Sequence, residues 1–82
     1  MTRQPVTSSN IKSLGWEPYG ALNGDRSFGA LEVEFASGTV YRYTGVLRVT
    51  FDAILCAPSI GRAFSQLVRQ HVPPYAYEKV AP

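Results

Sequence analysis

Apolar and polar side chains alternate most cleanly at residues 30–35, where Leu31, Val33 and Phe35 share one side of an extended chain and Glu32 and Glu34 the other. That two-residue period predicts a half-buried strand. An earlier strand is predicted over 11–17, where Leu14 and Trp16 alternate with polar or small neighbours. Between the two, Pro18, Gly20 and Asn23-Gly24-Asp25 suit a tight reversal. A third strand is expected over 39–43, joined to the second as a hairpin. If its loop is Ala36-Ser37-Gly38, with Gly38 in the left-handed position of a bulged turn, then Val33 faces Tyr41, Glu32 faces Arg42 and Leu31 faces Tyr43. If the loop is only Ser37-Gly38, every side chain changes side. Val33 then meets Arg42, and both tyrosines join the glutamates. The first register matches apolar with apolar and acid with base, and is preferred.

Helical spacing follows. Residues 50–57 place Phe51, Ile54 and Leu55 on one stripe, with Thr50 as candidate N-cap, Asp52 in the first turn, and Val49 and Ile54 spaced as a hydrophobic staple. Pro58 stops that helix. A second helix is predicted over 59–71, with Ala63, Phe64, Leu67 and Val68 inward and Arg62, Gln66 and Arg69 outward, ended by Pro73-Pro74. The tail at 75–80 alternates and supplies a candidate short C-terminal edge strand. The expected fold is α+β: a three-stranded antiparallel sheet followed by two helices packed on one face. Residues 1–8 read as a flexible lead, and 9–80 as one domain.

Eighty-two residues hold one modest core and leave little room for a deep, dry cleft. An apolar share of 45% and a single cysteine, Cys56, point to a globular chain without internal disulfides. With no signal-like N-terminus and no apolar run of roughly 18 residues, a cytoplasmic protein without membrane association is expected. The net charge of +2 is too small to mark a nucleic-acid binder by itself. Its distribution is uneven, however. The first 34 residues carry three basic against four acidic side chains, the rest five against two, and residues 58–77 contain no acid.

Catalytic chemistry finds little support. His71 is the only histidine, no carboxylate adjoins it in sequence, and it reads as a helix-end residue. Cys56 has no activating partner and reads as boundary packing on the first helix. Glu32 and Glu34 read as solvated charges on the outer sheet face. No set of His, Cys or acidic residues has metal-ligand spacing, and no phosphate-binding glycine motif is present. No cofactor or metal is expected, and an enzyme is not.

Ser59-Ile60-Gly61-Arg62 breaks local rules. Ser59 suits an N-cap, yet Gly61 weakens the helix and Arg62 opposes the dipole where a capping box wants Glu or Gln. An anion held by Ser59, Gly61 and Arg62 would answer both anomalies. Alternatively, Gly61 allows close packing against the sheet while Arg62 points into water. Tyr41-Arg42-Tyr43 is either a base-stacking platform or, in the preferred register, core with its hydroxyls at the rim. Arg62 and Arg69 lie about two helical turns apart and could follow a phosphate backbone.

Ser9-Asn10-Ile11, residues 31–35, Ser37-Gly38, Tyr41-Arg42-Tyr43, Val46, Ala57-Pro58-Ser59, Gly61, Phe64 and Arg69 together resemble the KTSC domain over about residues 9 to 77. That family includes free-standing bacterial and phage-borne proteins and a domain at the C-terminus of some lysyl-tRNA synthetases. Its Tyr-x-Tyr mark is matched by Tyr41-Arg42-Tyr43. The chain departs from the family pattern at Leu47, where proline is common, and at Ile60, where lysine or another polar residue is common. The second departure removes a positive charge beside Gly61. The synthetase association implies RNA as a ligand. Two functions are therefore expected. One is a small non-catalytic module for RNA or a phosphate-bearing nucleotide. The other is a protein-interaction module, self-associating into a homo-oligomer or acting as a phage-type inhibitor of a host protein.

Overall fold

A computed structural model describes residues 3–19 and 28–81; the reversal expected around Asn23-Gly24-Asp25 lies outside them. The sheet has five strands where three were expected: β1 (Gln4–Pro5), β2 (Ile11–Pro18), β3 (Phe28–Phe35), β4 (Val40–Leu47) and β5 (Tyr77–Ala81). They form an antiparallel meander in chain order. The two additional strands are its edges. β1 comes from the stretch expected to be a flexible lead, and its Pro5 is tolerated because an edge strand need not donate on its open side. β5 is the candidate C-terminal edge strand, running from Tyr77 to Ala81 rather than over 75–80, and it pairs with β4.

The β3–β4 hairpin adopts the three-residue loop. Gly38 has φ +93°, its N–H donates to the Phe35 carbonyl at 2.8 Å, and the Phe35 N–H donates to the Thr39 carbonyl at 2.9 Å. Leu31 accordingly faces Tyr43, Glu32 faces Arg42 and Val33 faces Tyr41. Two bulges retune the alternation. One in β2, between Ile11 and Ser13, lets Ile11 and Leu14 both face the core. The other is opposite Gly29 and Ala30, where Gly45 (φ +78°) is the extra residue, so Tyr43 and Val46 both turn inward.

Helix α1 (Arg48–Cys56) begins two residues before its expected start. Leu47 is its N-cap, without a side-chain capping bond, so Thr50 does not cap it. Asp52 instead pairs with Arg48 one turn back at 3.1 Å. Val49 is 68% exposed and makes no staple, whereas Phe51 and Ile54 are buried as expected. The predicted second helix divides into α2 (Ile60–Phe64) and a π-helical turn, Ser65–Arg69, in which the Gln70 N–H reaches the Ser65 carbonyl at 2.9 Å. Both helices cover one face of the sheet. The core lies between them, with Ile11, Leu14, Leu31, Val33, Tyr43 and Val46 meeting Phe51, Ile54, Phe64 and Val68. Burying each large apolar side chain contributes about 1.5–3 kcal/mol.

Candidate functional site

Ser59 caps α2 as expected: its hydroxyl accepts from the Arg62 N–H at 3.3 Å. The first-turn donor nearest the expected anion is therefore already bonded. Gly61 is explained by close packing, though not against the sheet. A Cβ there would collide with the Asn10 side-chain oxygen and come within 3.3 Å of the Ser8 hydroxyl. Ser8 in turn donates to the same Asn10 oxygen at 3.0 Å. The segment before β2 thus lies directly on the helix start. Between them opens a polar cleft of about 740 Å³, lined by Ser9, Asn10, Ser59, Arg62, Gln66 and Gln70 among others.

The Tyr41-Arg42-Tyr43 motif is divided between the two sheet faces. Tyr43 is 8% exposed, with its ring edge-on to Phe64 at 5.6 Å and tilted against Tyr77 at 5.4 Å. Tyr41 is half-buried, edge-on to Phe35 and Tyr77, each at 5.9 Å. Arg42 points to the opposite face. It binds Glu32 through Nε at 3.1 Å and Nη2 at 2.7 Å, and reaches Glu78 at 3.5 Å. Arg3 holds the other Glu32 oxygen at 2.6 Å. Glu32 is consequently buried rather than solvated, which corrects the expectation for this residue. Burial alone would raise its pKa, but the hydrogen bonds and charges of Arg42 and Arg3 outweigh that and hold the carboxyl below its ordinary value. Arg42 is therefore a structural cation, separate from the other candidate residues.

Arg69 leaves the π-helical turn on the helix side of the sheet. It lines an open groove of about 500 Å³ with Ser9, Asn10, Phe35 and Tyr41. It also lines a narrower slot of about 240 Å³ with Phe35, Tyr41, Tyr43, Tyr75 and Tyr77. Ser9 and Asn10 are shared by the polar cleft and the groove; Phe35, Tyr41 and Arg69 are shared by the groove and the slot. The three adjoin through these residues, in the order cleft, groove, slot, as one track. Arg3, Arg42 and Arg48 each have a carboxylate partner, whereas among the described residues Arg62 and Arg69 have none within 4.0 Å.

The structure thus brings together Ser59, Gly61, Arg62, Arg69, Tyr41 and Tyr43, and leaves out Arg42. Sequence reasoning from the residues missed Ser9, Asn10, Tyr75 and Tyr77 as members of the track. His71 lies beyond the helix, its Nδ1 2.7 Å from the Pro73 carbonyl oxygen and its ring stacked on Tyr75 at 4.3 Å. Cys56 is exposed rather than packed at a boundary.

Residues 7–71 match the KTSC domain family. The chain is 38% identical over 81 residues to an uncharacterized protein of Stutzerimonas stutzeri (strain A1501), covering 98% of this chain and 99% of that one. Its fold is similar to the crystal structure of a KTSC domain protein from Yersinia pestis, with a TM-score of 0.76, 30% identity and 96% of each chain covered.

Proposed function

The chain belongs to the KTSC domain family, and we propose that it serves as a small non-catalytic binding module for RNA or a phosphate-bearing nucleotide. One observation carries this reading. The arginines without carboxylate partners among the described residues, Arg62 and Arg69, stand on a single track that also holds polar Ser9 and Asn10 and the rings of Tyr41 and Tyr77. Cations not already paired are available to phosphate oxygens, and aromatic rings beside them suit stacked bases. The track is open and shallow, which fits a ligand that lies along the surface. A protein-interaction reading has its own support in β5, an edge strand of five residues on which Tyr77 is 64% and Val80 38% exposed.

The two readings separate on salt. Binding of transfer RNA and short single-stranded RNA is measured at rising salt for the native chain, Arg62→Ala and Arg69→Ala. Each lost phosphate contact lowers affinity and flattens the logarithmic salt slope by about 0.7 for a single strand. Unchanged affinity and slope in both variants would overturn the assignment of Arg62 and Arg69, and binding of neither RNA nor adenosine monophosphate at low salt would overturn the reading itself.

A further inference from the structure

We propose that the slot lined by Tyr41, Tyr75, Tyr77 and Arg69 receives one planar heteroaromatic ring: the base of the nucleotide ligand. This rests on the nucleotide reading above and assigns its base subsite. The sequence left Tyr41 and Tyr43 as either a base-stacking platform or, in the preferred register, core; the slot is a different construction from the platform. Tyr43 is buried and belongs to its floor with Phe35 and Val68, while Tyr75 and Tyr77 arrive from the segment after the helices.

The walls are held before any ligand arrives. Tyr77 sits at the β4–β5 ladder opposite Tyr43, and its ring meets Tyr41 at 5.9 Å and an interplanar angle of 70°. Tyr75 is backed by the His71 ring at 4.3 Å and 21°, and that imidazole is fixed by its 2.7 Å contact to the Pro73 carbonyl. Rings already ordered lose little freedom when a flat partner enters. At about 240 Å³ the slot falls below the roughly 300–1,000 Å³ of sites for drug-sized ligands and matches one ring system.

Its chemistry narrows the occupant further. The lining residues are aromatic or apolar except for Arg69, and none of them is a carboxylate. A guanidinium plane stacks on a neutral heteroaromatic ring and repels a cationic one. Arg69 also lines the groove that continues to Ser9 and Asn10, and those two line the cleft with Arg62. A base in the slot would therefore direct its sugar and phosphate along the track.

The test is an NMR titration of the full chain with three probes: adenosine, ribose 5-phosphate and adenosine monophosphate. Adenosine and the monophosphate should move the ring signals of Tyr41, Tyr75 and Tyr77. Ribose 5-phosphate should leave those rings unmoved and shift the amides of Asn10 and Arg62. Tyr75→Leu should weaken adenosine monophosphate about tenfold, as loss of a stacking partner does, without changing ribose 5-phosphate. Arg69→Gln, at an exposed position, should weaken the monophosphate while leaving the fold intact. Equal binding of the monophosphate and ribose 5-phosphate with no ring shifts would overturn the slot and leave the phosphate reading standing. Ring shifts with adenosine but no response to ribose 5-phosphate would support the slot and refute the phosphate contacts. Absence of binding by both adenosine and its monophosphate would overturn the inference. So would ring shifts produced by N-acetylphenylalaninamide and not by adenosine, in favour of a peptide side chain.

Discussion

The side-chain oxygen of Asn10 occupies the space into which a Cβ at Gly61 would project. Helix propensity alone would make Gly61→Ala stabilising by up to about 1 kcal/mol. The contact offsets that gain, because the added methyl must displace the Asn10 side chain and, through it, Ser8. Asn10 is exposed and can move aside, so we expect Gly61→Ala to be close to neutral, within about 0.5 kcal/mol, as for other surface substitutions. In an Asn10→Ala background the same substitution should become favourable, by up to about 1 kcal/mol. Urea unfolding of the four proteins in the double-mutant cycle measures this coupling. Additive effects would mean that the two residues do not meet.

That contact also marks a boundary of what the sequence makes legible. The β3–β4 register could be read because only one loop length pairs Glu32 with Arg42 and keeps both tyrosines with Leu31 and Val33. β1 could not, since two residues containing a proline show neither alternation nor strand length. Arg3 on Glu32 and Val6 against the core hold this segment instead. The stripe of Ala63, Phe64, Leu67 and Val68 implied a regular helix. In the wider π turn Phe64 and Val68 stay buried, at 1% and 2%, while Leu67 rolls out to 39% exposure. Of the candidate site, Arg62 was legible from the broken helix-start rules at Ser59-Ile60-Gly61-Arg62, and Arg69 from its spacing two turns on, in a stretch, 58–77, without acid. Tyr75 and Tyr77 were not, because their placement depends on the chain returning along β4.

Glu32 links the N-terminal segment to the hairpin, since Arg3 and Arg42 each hold one of its oxygens. We expect Glu32→Gln to lower stability by about 1–3 kcal/mol at neutral pH, the range for leaving charged hydrogen-bond partners unmatched. Its folded pKa lies below the ordinary value, against the desolvation that opposes this. The stabilisation is therefore present above the unfolded carboxyl value of about 4.3 and is lost as pH falls through the lower folded value. The neutral Gln side chain has no such dependence. Unfolding measured at neutral pH and near pH 3 should show the gap between the two proteins narrowing on acidification. A constant gap would mean that the ionised carboxylate is not what the arginines hold.

Tyr43 connects the core to the candidate slot, and its phenol reports on both. Burial raises its pKa above the ordinary value; Arg69 opposes that, and neighbouring Tyr77 and Tyr41 add to it. In an alkaline titration followed by ultraviolet absorbance, one tyrosine should ionise late, and Tyr43→Phe should remove that phase. Arg69→Ala should move it later still, because the opposing cation is gone. A folded pKa above the unfolded one means that Tyr43 contributes stability below about pH 10, and that this contribution is lost as pH rises through the folded value. Tyr43→Phe should therefore change stability by less than about 1 kcal/mol at neutral pH and lessen the alkaline loss. If Arg69→Ala leaves the late phase where it was, the guanidinium does not stand near enough to Tyr43 to close the slot. The base subsite would then lose its cation, and the rings of Tyr41, Tyr75 and Tyr77 alone would have to hold the ligand.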